Sequence, residues 1–126
     1  VRFNSTEGQT MEVTRFGDAR RYDAPKHYDM RGMRLQGFDA SSSTFAWTGL
    51  SHFLPGGGAE MDVSPLEKIY VVLEGSVTIE IEGGETHVLA KLDSCFIPGG
   101  EARAIRNDGN AVVTMLVIMP YPERSL

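Results

Sequence analysis

Residues 56–75, GGGAEMDVSPLEKIYVVLEG, and residues 92–107, LDSCFIPGGEARAIRN, decide the fold. Each sets short apolar runs between residues that turn the chain. Gly75 and Gly100 suit backbone angles that other residues adopt only at a cost, and Pro98 fits the end of a strand. Working outward, turn signals recur at Pro55 to Gly58, Gly83-Gly84 and Asn107-Asp108-Gly109. Between them, runs rich in Val, Ile, Thr, Phe and Tyr predict strands over 44–54, 68–73, 76–82, 86–90, 95–97, 102–106 and 111–119. The run 76–82 alternates, with Val77, Ile79 and Ile81 on one face and Ser76, Thr78, Glu80 and Glu82 on the other. No long segment carries a 3.6-residue apolar period, so long helices are not expected. Many short strands with Gly-rich turns mean a sandwich or a barrel. A jelly roll, a lipocalin-like barrel and an immunoglobulin-like sandwich all satisfy that pattern.

In spacing and turn residues the two stretches resemble the paired motifs of the cupin family, in which Gly, His-x-His, Glu and Gly are followed by Pro-x-Gly, His and Asn. The resemblance implies an all-β, cupin-like double-stranded jelly-roll β-barrel. Anchoring on Gly56 and Gly75 places Asp62, Ser64 and Lys68 where cupins carry His, His and Glu; Pro98, Gly100 and Asn107 place Arg103 at the last His. The frame is kept and the ligands are replaced. Leu92 stands where the second motif usually opens on Gly.

The 126 residues are expected to form one domain, with 1–40 as an N-terminal arm with the first strands and 44–119 as the barrel core. Within that arm, 10–16 and 33–37 are candidate strands and 20–32, RRYDAPKHYDMRG, is expected to be a polar loop. A net charge of −5 argues against a nucleic-acid partner, because phosphate contacts need clustered Lys and Arg. No apolar run approaches the roughly 20 residues that span a bilayer, and the polar opening VRFNSTEGQT predicts no leader. The single cysteine, Cys95, makes a reducing cytoplasm the expected compartment.

Cupins that hold Mn, Fe, Ni or Zn use three imidazoles and one carboxylate, so the resemblance bears directly on cofactors. Here His27, His52 and His87 all miss the matching positions, and protonated Lys68 and Arg103 cannot ligate, so no cofactor is expected. A rival register sets Glu60, Asp62 and Glu67 on the motif, where three carboxylates would suit a hard ion such as Mg, Ca or Mn. It requires an extra residue that flips the later side chains to the opposite face.

In the preferred register strand parity groups Glu60, Asp62 and Ser64, and likewise Lys68, Tyr70 and Val72. If both sets face inward, two readings stand. One is a satisfied salt-bridge network with Arg103 on Asp62 or Glu60. The other is a working site: Arg103 anchors an anionic group, Lys68 acts as a base, and Glu60 or Asp62 donates a proton. Ser64, Tyr70 and His52 then line the ligand. Such a cavity would bind a small polar, anionic metabolite and suits a metal-independent isomerase or lyase. A non-catalytic ligand-binding or sensing module and a metal-dependent enzyme with a carboxylate-rich site are the alternatives; oxygenase chemistry is disfavoured. No membrane partner is expected, and a second copy of the chain, as a homodimer, is. Cys95 reads as a core thiol, His27 as a surface residue, Met115, Val117 and Met119 as core, and Phe45 and Trp47 as packing together in the barrel or at a subunit contact.

Overall fold

The computed structural model describes residues 10–122. After a 3-10 turn at Phe16–Asp18 come nine strands among the described residues: β1 Arg20–Tyr22, β2 His27–Gln36, β3 Trp47–Asp62, β4 Lys68–Glu74, β5 Val77–Ile81, β6 Thr86–Leu89, β7 Ser94–Ile97, β8 Arg103–Arg106 and β9 Val113–Met119. They pair in the order β6-β5-β8-β3-β9-β4-β7, with β2 on β3 and β1 on β2. This is the expected all-β, double-stranded jelly-roll barrel.

The long strand β3 joins the two halves. Its first part, Trp47 to Phe53, pairs with β9, and its second, from Gly58, pairs with β8. Pro55 sits in the interval between the two partners, where its missing N–H interrupts no ladder bond. The expected turn at Pro55 to Gly58 is therefore a bend inside one strand. Beyond the bend the strands come close: a side chain at Gly58 would run into the backbone carbonyl of Ile105.

Two further expectations are corrected in the N-terminal region. Residues 20–32 are not a polar loop, because β1 and most of β2 are formed from them. Their polar residues mislead because this sheet edge is largely solvent-facing, whereas the ladder to β3 is a matter of backbone bonds. Residues 10–16, by contrast, contribute no strand. The expectation about a leader falls on residues 1–9, outside the described ones. Among the described residues no helix is long and apolar enough to cross a membrane.

The core follows strand parity. Phe53 and Ala59 of β3, Tyr70 and Val72 of β4, Val77 and Ile79 of β5, Ile105 of β8, and Val113, Met115 and Val117 of β9 are all buried. Each fully buried large side chain is worth about 1.5–3 kcal/mol relative to exposure. Cys95 packs against this core half-buried, and burial pushes its thiol pKa up. One polar group belongs to the core too. Buried Asn107 donates from Nδ2 to the carbonyls of Phe53 and Ala111, both at 2.9 Å, and accepts at Oδ1 from the Gly109 N–H at 3.0 Å. It ties the loop before β9 to the bend region of β3.

Candidate functional site

The barrel encloses a cavity of about 420 Å³. Its floor is apolar, with Ile105 from β8 and Met115, Val117 and Met119 from β9. Its polar wall is built by three short runs of sequence. Along β4, Lys68 and Tyr70 face in while Ile69 faces solvent, the alternation a strand imposes. On β8, Arg103 and Ile105 share that parity. At the end of β3 Asp62 turns in, followed by Ser64, whose Oγ accepts the Leu66 N–H at 3.0 Å and so shapes the loop into β4.

Asp62, Ser64, Lys68, Tyr70 and Arg103 thus meet at one cavity, as the preferred register expects. Glu60 does not. The β3–β8 register shifts between Ala59 and Asp62, so parity counted back from Asp62 fails: Ala59 is buried and Glu60 is exposed. A bulge is invisible to simple alternation. Glu67 is exposed as well. The carboxylate set of the rival register is therefore not assembled, and no group of three or more His, Cys, Asp or Glu side chains that could hold a metal is found among the described residues.

His52 is also corrected. Ser51 lines the cavity, so its neighbour His52 lies on the other face, where Nδ1 meets the Thr114 hydroxyl at 3.2 Å and Phe16 packs edge-on. Conversely, His27 is not a free surface residue. It lines the cavity, stacks on Phe53, and its Nδ1–H donates to the Pro25 carbonyl at 2.8 Å, leaving Nε2 as an acceptor in the neutral ring. Burial holds its pKa below the ordinary value, so the ring is neutral near pH 7. Trp47 lines the cavity, whereas Phe45, before the strand starts, is 86% exposed.

The charges divide unevenly. Arg103 is buried and donates from Nε to the Tyr70 hydroxyl at 2.9 Å and from Nη1 to the Glu60 carbonyl at 3.4 Å. The expected ion pair between Arg103 and Asp62 or Glu60 is not formed. Asp62 instead meets Lys26 at 3.4 Å and accepts the Val63 N–H at 3.0 Å. That N–H and Lys26 hold its carboxyl below the usual carboxylate range. Tyr70 is kept a neutral phenol by burial, which raises its pKa against the pull of Arg103.

Lys68 is only 4% exposed, yet it makes no hydrogen bond and no ion pair among the described residues. Burial first, and neighbouring Arg103 second, lower its pKa. Its Nζ is not among the fully enclosed polar atoms, so the ammonium faces the cavity without a protein acceptor among the described residues. The side chains at the cupin ligand positions, a carboxylate, a hydroxyl, an ammonium and a guanidinium, do not fit a transition metal, because two of the four are cations without a lone pair.

Other lining residues come from the arm: Tyr22, Asp23, Ala24, Pro25 and Arg34. Sequence reasoning missed the first four by reading 20–32 as a loop, and Arg34, inside the candidate strand 33–37, because no facing was assigned to that strand. Ser51 was within reach, since Phe53 and Ser51 share a strand face.

Comparison with known proteins gives the context. A profile of the family described as "Cupin domain" matches residues 49–119. A Mycobacterium tuberculosis protein named β-D-galactosidase is 41% identical over 112 residues, covering 89% of this chain and 96% of that one. Among solved structures, the polyketide cyclase RemF of Streptomyces resistomycificus superposes with a TM-score of 0.79 at 19% identity, covering 88% of this chain and 80% of that one. An RmlC-like cupin of Shewanella frigidimarina gives 0.70 at 16% identity, covering 91% and 96%. At such identities these structures establish the fold alone.

Proposed function

Since this chain belongs to the cupin domain family, we propose that its barrel cavity takes a small sugar-class ligand and that the chain acts on it as a β-D-galactoside hydrolase. The observation that carries the reading is the meeting of Asp62, partner-free Lys68 and the Arg103–Tyr70 pair at one cavity. The relative named β-D-galactosidase, similar along nearly its whole length, supplies the substrate class.

Glycoside cleavage needs a negative charge beside the anomeric carbon, or a base for the attacking water, and an acid for the leaving oxygen. Asp62, held ionised, fits the first role. Its lowered pKa favours that role over the proton-donor role that the sequence suggests for it. Lys68, with its lowered pKa and no acceptor of its own, fits the second. Arg103 and Tyr70 would bind ring hydroxyls, with Ser64 and neutral His27 as further hydrogen-bond partners. No step runs through a metal, because the residues present do not fit one.

The test is hydrolysis of an aryl β-D-galactoside. Asp62→Asn and Lys68→Met should each lower kcat by about a hundredfold or more. Turnover unchanged in both variants would end this reading.

A second reading rests on the surplus of cavity-lining cations, Arg34, Lys68 and Arg103, over Asp23 and Asp62: an anionic metabolite undergoing isomerisation or elimination, with Lys68 as the base. Proton NMR separates the cases. Exchange of a carbon-bound proton with solvent marks the isomerase or lyase, and binding without conversion marks a sensing module. Both readings take the chain as a cytoplasmic homodimer. Ile69 and Phe96, neighbours across β4 and β7 and both exposed, offer the apolar face a second copy would cover.

A further inference from the structure

Two charged side chains at this cavity, Asp23 and Arg34, have no part in that chemistry, and only the second is a cation. Arg34, on β2, lines the cavity, and its guanidinium carbon lies 4.0 Å from the ring centre of Tyr22, 4.4 Å from that of Phe38 and 4.8 Å from that of Trp47. Three aromatic rings around one guanidinium fix its position, and the side chain stays only partly buried, with Nε closed off from water. Its Nε is buried with no hydrogen-bond partner, and among the described residues no carboxylate forms an ion pair with it.

The backbone is shaped to build this cage. The Tyr22 ring has room against β3 because position 49 is glycine: a side chain there would come within 2.9 Å of the ring carbon Cζ. Trp47 has room because position 37 is also glycine, where a side chain would strike the Trp47 Cβ at 2.6 Å. Phe38 reaches its place from a left-handed backbone, φ 51°, that phenylalanine seldom adopts. The residue is held at 50% exposure, with its ring edge-on to Tyr121 and its N–H donating to the Tyr121 hydroxyl.

Rings satisfy the faces of a guanidinium but accept none of its N–H groups, which lie in the plane and match the oxygens of an oxyanion. We propose that Arg34 is a preset anchor for an oxyanion, a carboxylate or phosphate carried by the cavity's sugar-class ligand away from the reacting bond. The preferred substrate is then a β-galactoside that also carries an acid group, a carboxylate or a phosphate ester, and a neutral galactoside is the weaker-binding minimal substrate. The sugar part of this statement rests on the proposed function; the oxyanion anchor does not.

The experiment is an NMR titration of the full chain, following the Arg34 Nε–H and the Trp47 indole resonances. The probes are inorganic phosphate, D-galacturonate, galactose 6-phosphate and D-galactose. Phosphate should shift both resonances. One or both sugar acids should bind at least tenfold more tightly than galactose. Arg34→Met should erase the phosphate response and that tenfold margin while leaving the affinity for galactose unchanged. Arg34→Lys, which keeps the charge without the planar fork, should recover only part of the margin. Phosphate and both sugar acids leaving Arg34 Nε unmoved would overturn the inference, as would equal affinity of Arg34→Met and the unaltered chain for the acids. A phosphate response at Arg34 with no binding of any sugar would keep the anchor and sink the sugar reading. A carboxylate-only or phosphate-only response identifies which oxyanion the ligand carries.

Discussion

Replacing Lys68 by methionine should make the protein more stable and less active. Lys68 is 4% exposed as a residue, its ammonium faces the cavity with no acceptor among the described residues, and the Arg103 guanidinium is a like charge nearby. Methionine keeps a flexible chain of similar length and removes the charge. Exchanging poorly compensated buried charge for apolar volume is worth about 1–3 kcal/mol, or roughly 3–12 °C in Tm for a domain of this size. The pH dependence gives a sharper check. In the unfolded chain Lys68 titrates near the ordinary value of about 10.4, and in the folded chain below it. Between those two values the unfolded chain binds more protons, so this residue's contribution to stability rises with pH across the window. Below the folded pKa both states are charged and the full penalty applies. The advantage of Lys68→Met should therefore be greatest at neutral pH and shrink toward pH 10.4. Comparing the two proteins cancels the titration of Tyr22 and Tyr70, whose pKa values burial raises. Urea unfolding at a series of pH values measures the difference. A variant that is less stable than the parent at pH 7, or an advantage flat with pH, would refute the reasoning.

Four other outcomes follow from the same geometry. Tyr70→Phe leaves the buried Arg103 Nε without its 2.9 Å partner and should lower stability by about 1–3 kcal/mol in thermal or urea melts. Asn107→Ala removes three hydrogen bonds that join the loop before β9 to β3 and should cost about 2–4 kcal/mol by the same assay, with no direct effect on the cavity's charges. Turnover should fall on the acid side as Asp62 protonates, below the ordinary carboxylate range, and on the alkaline side as Lys68 deprotonates, below the ordinary lysine range; Glu60→Gln and Glu67→Gln should leave both limbs in place. Phe96→Asp should convert the proposed dimer to monomer in sedimentation velocity runs without unfolding it, since Phe96 is 56% exposed.

What the sequence made legible was whatever turns and strand parity control. Gly75, Pro98 and Gly100 mark real corners, and the alternation of Lys68, Ile69 and Tyr70 is the alternation observed. The placement of Asp62, Ser64, Lys68, Tyr70 and Arg103 at one cavity follows from those two signals. Glu60 escaped because a register shift after Ala59 breaks parity where the count was being made. His52 was misassigned although the buried Phe53 beside it fixes the facing of the strand. The arm was the larger loss. Among residues 20–32 only Gly32 is buried, so no apolar period announces these strands, and the aromatic cage around Arg34 depends on Gly37 and Gly49, which lie on different elements from Tyr22. Contacts of that kind are decided by tertiary approach and leave no local trace.

The chain has only three lysines, Lys26, Lys68 and Lys91, so selective labelling of the lysine Cε carbon gives three NMR signals, and Lys68→Met assigns the relevant one. Followed against pH with and without a saturating aryl β-D-galactoside, the Lys68 signal should titrate below the ordinary lysine value and move when the sugar is added. A Lys68 signal that titrates at the ordinary lysine value and ignores the sugar would contradict the claim that this ammonium waits in the cavity for a ligand.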